Sequence, residues 1–154
     1  VSTMIEQAGK VPDTIFMSAI EEKATPDDVE RFQIDMDDNV LTIERVRTAD
    51  GEPVVYCIDK VPSNYLHQEF LTKDNISLFS ALEKSANVRV TYAITQIDPI
   101  GYHDHVSPIL KTGKDTALLV LSQAHYDEYD RLVLYSENYF RADKFSFHVV
   151  RKRM

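Results

Sequence analysis

The sequence predicts an α/β protein of the α+β type: an antiparallel β-sheet of about six strands with short helices packed on it. Three observations carry this prediction. Residues 41–62 and 116–140 each read as a β-hairpin, with runs of apolar and β-branched residues on either side of a polar turn. Val88 to Ile97 alternates and is rich in β-branched residues, which suit a half-buried pleated surface. The second hairpin repeats the layout of the first, a similarity that fits two hairpins in one antiparallel sheet with helices on one side.

The elements follow in order. Ser2 to Gly9 has helix-forming content, with Ser2 or Thr3 placed to cap it and Gly9 placed to end it. The stretch from Val11, PDTIFMSAIEEKA, reads as a strand. Thr25 is an N-cap and Pro26 the first residue of a short helix running to Phe32. Asp35 to Asn39 is a polar turn, and Leu41 to Pro62 is the first hairpin. Pro62 to Leu66 reads as a turn entering a short helix. Asn75 to Lys84 then places Leu78, Phe79 and Leu82 at the spacing of an amphipathic helix, with Ser77 at its mouth. After Val88–Ile97 comes a loop, then a helix around Val106 to Leu110. Thr116–Ala124 and Leu132–Phe140 flank a turn at 126–130, and a last strand is expected over Phe145–Arg151.

Composition narrows the function. At 154 residues, with 44% apolar and 27% charged residues, the chain is about one domain and long enough to bury a core. Its net charge of −8, with Arg151-Lys152-Arg153 as the only dense basic cluster, argues that this segment is not itself a nucleic-acid-binding surface. That cluster reads as a solvated tail. A single cysteine, Cys57, excludes an internal disulfide and a cysteine-based zinc site within the chain. Neither a membrane-spanning apolar run nor a secretory leader is present in the sequence, so the expectation is a cytoplasmic protein without a membrane partner. The first residue is Val1, which reads as the start of a fragment or a processed product.

The first hairpin is chemically the most informative stretch. Leu41, Ile43, Arg45 and Arg47 share one parity, so a strand points both guanidinium groups the same way as two large apolar side chains. An unpaired buried guanidinium costs several kcal/mol or more, so an anion is required there. Asp50-Gly51 marks the turn, and a three-residue loop would pair odd positions with odd ones. The arginines then share a face with Val55, Cys57 and Asp59, while Val54, Tyr56 and Ile58 line the other. Asp59 is the in-chain partner available, though several residues from Arg47; a ligand anion is the alternative. The N-terminal amides of the first helix are a second place where an anion can bind.

Two other clusters raise the question of a metal. The acids of Asp35 to Asn39 lack the glycine and distal glutamate of a calcium loop, and read as a solvated turn. Tyr102-His103-Asp104-His105 offers two imidazoles beside a carboxylate, but no further ligands cluster with them, so a loop leading into a helix is the better reading. No metal and no cofactor are expected.

Three segments together carry a family resemblance: RVRTADGEPVVY at 45–56, SLF at 77–79 and YSENYFRADKFSF at 135–147. In this order and spacing they resemble the effector-binding UTRA domain of bacterial GntR-type transcription regulators of the HutC subfamily, a domain related in fold to chorismate lyase. The resemblance covers nearly the whole chain. It implies a single dimerising effector-binding domain, preceded in the full protein by a winged helix-turn-helix that reads DNA and is absent from this chain. It also implies that an effector phosphate is held by Ser2, Thr3, Arg45, Arg47 and Ser77. In sugar-binding members glutamates commonly stand where this chain has Cys57 and Leu134, and tyrosines where it has Phe79 and Phe140. With these contacts softened, the expected effector is an anion with a less hydroxylated or more apolar body than an amino-sugar phosphate.

The expected function is therefore a ligand sensor and homodimerisation domain, not an enzyme. Two alternatives stand beside it. A chorismate lyase-like enzyme would need a carboxylate aimed at the arginines, and Glu137 differs in parity from Leu134, Ser136 and Asn138. A dimerisation module with a degenerate pocket would need no ligand at all.

Overall fold

A computed structural model describes residues 1–66 and 77–153. Its elements are α1 (Ser2–Gln7), β1 (Pro12–Lys23), α2 (Pro26–Phe32), β2 (Asn39–Ala49), β3 (Glu52–Pro62), α3 (Leu78–Ala86), β4 (Val90–Ile100), α4 (Val106–Ile109), β5 (Leu118–Asp127) and β6 (Leu132–Arg141). The six strands form one sheet in the order β1-β2-β3-β6-β5-β4, and every neighbouring pair is antiparallel. Two three-stranded meanders, β1-β2-β3 and β4-β5-β6, thus meet along β3 and β6. The helix expected after Leu66, and the Asn75-Ile76 start of the helix expected at 75–84, lie outside the described residues.

The β2–β3 turn reaches the expected parity by another route. Asp50 and Gly51 form a two-residue turn in which both residues have positive φ, 50° and 81°. This matches the right-handed twist of the strands and suits an Asp-Gly pair. Ala49 then pairs with Glu52 and Thr48 with Pro53, which alone would set odd against even. Val54 is an extra residue in β3, a bulge, after which Arg47 pairs with Val55 and Arg45 with Cys57. The loop is two residues long, not three, and the bulge restores odd-with-odd pairing.

Helices pack on both faces, which corrects the expectation of helices on one side. On the arginine face, α1 buries Ile5 against Val55, Cys57 and Phe140, while α3 buries Leu78, Ala81 and Leu82 against Leu41, Ile43, Val61 and Leu134. On the opposite face, α4 covers Val46, Tyr56 and Leu118 with Val106 and Leu110. The reason is in β3, which is apolar on both sides: Val55 and Cys57 face one core and Tyr56 the other, and all three are buried. Each large side chain fully removed from water contributes roughly 1.5–3 kcal/mol, so neither face can be left bare.

Local signals set the helix ends as read, with one exception. Thr25 and Asp28 form a reciprocal capping box, each side chain accepting from the other's backbone N–H at 3.2 and 3.0 Å. Burial pushes the Asp28 carboxyl up, but the Lys60 ammonium at 2.9 Å and the Thr25 bonds outweigh it and hold it below the ordinary carboxylate value. In α1 the cap position falls to Val1, with no side-chain cap, so neither Ser2 nor Thr3 acts as the N-cap.

Residues 145–153 have no regular secondary structure, and the expected last strand is not formed. The chain leaves β6 from the middle of the sheet, where both flanks are already paired with β3 and β5, so no free edge is within reach. Its alternation serves packing instead. Phe145 and Phe147 set their rings edge-on to Phe140, with centroids 5.1 and 4.9 Å apart.

Candidate functional site

The arginine face carries a cleft of about 430 Å³ between the sheet, the first residues of α1 and the start of α3. Its floor follows from strand register. Arg45 lies opposite Cys57, Asp59 opposite Ser136, Cys57 opposite Asn138, and Gln123 opposite Ser136. Because each strand alternates, these side chains point to one face in adjoining rows. Ser2 closes the cleft from α1, and Ser77 and Phe79 from α3.

The two arginines have different partners. Arg45 donates from Nη2 to Oδ2 of Asp59 at 2.8 Å, a diagonal contact across β2 and β3. Asp59 is held from its other side, where Ser136 donates from Oγ to Oδ1 at 2.6 Å. Nε2 of His125 lies 3.4 Å from the same Ser136 hydroxyl. Arg47 donates from Nη2 to the Ser2 hydroxyl, and among the described residues no carboxylate lies within ion-pair distance of it. Nε of Arg45 and Nε of Arg47 are both buried without a hydrogen-bond partner. A buried donor left unmade costs about 1–3 kcal/mol, so both guanidinium groups are receptive to an added acceptor.

Burial governs the electrostatics. It pulls the Arg47 guanidinium below its ordinary value, and Arg45 lowers it further, whereas the effects of Cys57 and Asp13 oppose this. Burial also pushes the Cys57 thiol up to about 12, with Asp59 adding to the rise and the arginines working against it. Cys57 is therefore a neutral, inert lining group. His125 is lowered by burial against the raising effect of Asp59, so the imidazole is neutral near pH 7, with the Phe79 ring edge-on at 5.4 Å.

Of the residues expected from sequence, Ser2, Arg45, Arg47, Cys57, Ser77, Phe79 and Leu134 line the cleft. Thr3 and Phe140 do not. Thr3 is the next residue along α1, turned about 100° from Ser2 by helix geometry, and it is exposed. Phe140 is buried behind the cleft wall with Ile5, Cys57 and the two phenylalanines of the C-terminal segment. Thr14, Gln123 and His125 also line the cleft and were not singled out from sequence. The signal for Gln123 and His125 was the parity they share with Leu119 and Leu121, which puts all four on one face; β5 runs on to Asp127, beyond the expected end at Ala124.

The remaining clusters are structural. Among the described residues no group of three His, Cys, Asp or Glu side chains is placed to hold a metal. Nδ1 of His103 instead accepts from the backbone N–H groups of His105 and Val106 at 3.2 and 3.1 Å, fixing the start of α4. Glu137 faces away from the arginines and accepts from the Tyr139 hydroxyl at 2.9 Å. No described helix is long and apolar enough to cross a membrane.

These features define an antiparallel α+β domain with a polar cleft on one face of its sheet. The family model of the UTRA domain matches residues 7–146, and the chain belongs to the UTRA domain family. The chorismate lyase-like fold expected of that family is the fold observed. Solved structures agree. PhnF from Mycobacterium smegmatis superposes with a TM-score of 0.86 at 21% identity, covering 99% of this chain and 68% of that one. Its effector domain, solved separately, gives 0.85 at 21% identity over 99% and 94%. A GntR-family transcriptional regulator from Bacillus cereus gives 0.79 at 18% identity over 92% and 99%. No curated protein matches.

Proposed function

We propose that this chain is the effector-binding and dimerisation domain of a cytoplasmic bacterial GntR-type transcription regulator of the HutC subfamily, whose DNA-reading domain lies outside the chain. The cleft on the arginine face binds a small anionic metabolite, bearing a phosphate or a carboxylate. The observation that carries this reading is Arg47: a half-buried guanidinium with a buried, orphaned Nε and no carboxylate within ion-pair distance among the described residues. Such a group is costly unless an anion completes it. Ser2 and Ser77, at the mouths of α1 and α3, stand beside it as hydroxyl donors. The soft lining of Cys57, Leu134 and Phe79 favours an effector body with few hydroxyl groups.

Two further points support the reading. The carboxylate of the cleft, Asp59, is committed to Arg45 and Ser136, so it does not serve as the free general acid or base a lyase would need. Strand β4 lies at a sheet edge with Tyr92, Ile94 and Ile97 exposed, a surface suited to a second copy of the chain. In the regulator, effector binding works by favouring one arrangement of the two domains over another, which changes the spacing of the attached DNA-reading heads.

A thermal-shift screen of phosphorylated and carboxylated metabolites tests this. The expected result is a rise in Tm with at least one anion, lost in Arg47→Ala. No stabilisation by any anion, in a protein that is folded and dimeric, would leave the dimerisation module as the better account.

A further inference from the structure

We infer that Asp59 sets the net charge of the effector: by neutralising Arg45 it leaves Arg47 as the unneutralised cation among the described side chains of the cleft, which selects a singly charged anion over a doubly charged one. The inference rests on the anion-binding reading of the cleft and adds to it the charge class of the ligand.

Few of the described charged side chains face the cleft. Among its described lining side chains these are Arg45, Arg47 and Asp59, with His125 neutral near pH 7. The sum is one positive charge. Asp59 is not a displaceable bystander. Register places it opposite Ser136, whose hydroxyl fixes Oδ1 at 2.6 Å, while Arg45 takes Oδ2 at 2.8 Å. Its side chain is only 6% exposed, so water does little to screen it.

An incoming anion therefore meets both signs. Its acceptor atoms meet the guanidinium groups of Arg45 and Arg47 and the Ser2 hydroxyl, which line the cleft. A singly charged anion brings the cleft to neutrality. A doubly charged one leaves a net negative charge in a buried site that already holds a fixed carboxylate, and like charges at close range in a low-dielectric setting are strongly disfavoured. A molecule whose phosphate is balanced by its own ammonium counts as singly charged here. Asp59 also supplies an acceptor for such an ammonium, because a carboxylate has lone pairs beyond those used by Arg45 and Ser136.

Two matched probe pairs read the charge alone: glutarate against its monoamide glutaramate, and ethyl phosphate against O-phosphoethanolamine. Calorimetric or NMR titration is done near pH 8, with Val1 acetylated so that its amino group adds no charge. The wild-type protein is expected to bind the singly charged member of each pair about tenfold or more tightly than its doubly charged mate. Asp59→Asn is expected to abolish or reverse that ratio. Arg45→Gln with Asp59→Asn, which removes both charges and keeps the sum at one, is expected to restore it. Should Asp59→Asn fail to fold, Arg45→Gln reads the same balance from the other side, and its ratio is expected to widen.

A ratio that is the same in the wild type and in these single variants overturns the inference and leaves the anion site standing. Failure of all four probes to bind any of the proteins overturns the site itself, and the inference with it.

Discussion

Asp59 and Arg45 meet at 2.8 Å across the first hairpin, and the Ser136 hydroxyl holds the opposite carboxylate oxygen. The pair is diagonal in the register: Arg45 sits opposite Cys57, and Asp59 is the next residue along the same face of β3. Breaking such a pair from one side leaves a partly buried charge without its partner. Asp59→Ala is thus expected to destabilise the protein by roughly 3 kcal/mol, and the double variant with Arg45→Met by clearly less. Urea unfolding of the two single variants and the double variant measures this. A loss in the double variant equal to the sum of the two single losses would mean that the pair is not coupled.

Arg47 predicts the opposite sign. It has a hydroxyl partner and no counter-ion among the described residues, and burial already lowers its basicity. Replacing an uncompensated, half-buried cation by a straight apolar chain is expected to stabilise the empty protein, by about 1 kcal/mol for Arg47→Met in anion-free buffer. The same variant is expected to lose any rise in Tm produced by anions. Denaturant curves with and without phosphate separate the two effects.

What was legible in the sequence, and what was not, follows from the range of each interaction. The shared parity of Arg45 with Arg47, and of Cys57 with Asp59, was readable because period-2 geometry is local; the two pairs meet on one face because the two-residue Asp50-Gly51 turn and the Val54 bulge together have the effect of a three-residue loop. The Thr25 and Asp28 capping box was half-readable: Thr25 announced it, and the return bond from Asp28 is one residue type away from the usual glutamate. The Val54 bulge was not readable, because nothing in GEPVVY distinguishes an unpaired valine from a paired one. The joining of β3 to β6 brings Asp59 to Ser136 across 77 residues, and no local signal encodes it. His125 was missed for a related reason. The strand β5 continues past Ala124 because Asp127 closes the turn itself, accepting from the backbone of Tyr129 and Arg131.

The pH dependence of stability has a definite sign. Burial lowers the His125 pKa from an ordinary 6.5, so in the folded protein the ring resists protonation. As pH falls through 6.5, the unfolded chain takes up a proton at this position that the folded one refuses, and stability declines until the lower folded value is reached. Above 6.5 the contribution is complete. Asp28, also depressed on folding, adds a further loss only at pH near and below its ordinary 3.8. With Val1 acetylated, so that its burial-lowered amino group does not titrate, the expected outcome is a fall in unfolding free energy beginning below about pH 6.5, removed in His125→Gln while the acid limb near and below pH 3.8 remains. Urea titrations at half-unit steps from pH 8 to pH 2.5 show whether the two limbs separate.

Cys57 offers a probe of the cleft floor that needs no ligand. Its thiol is buried beneath the arginines, and desolvation outweighs their attraction, pushing it up to about 12. Two nearby guanidinium groups would ordinarily activate a cysteine, so the outcome separates the two influences. If burial dominates, alkylation by iodoacetamide at pH 8 is expected to be on the order of 100-fold slower in the folded protein than in urea, and set by opening of the fold. Arg47→Met, which removes one activating charge and stabilises the fold, is then expected to slow labelling further. Labelling in the native state as fast as in urea would mean that the floor is open and the thiolate is populated, with the arginines dominating the local field.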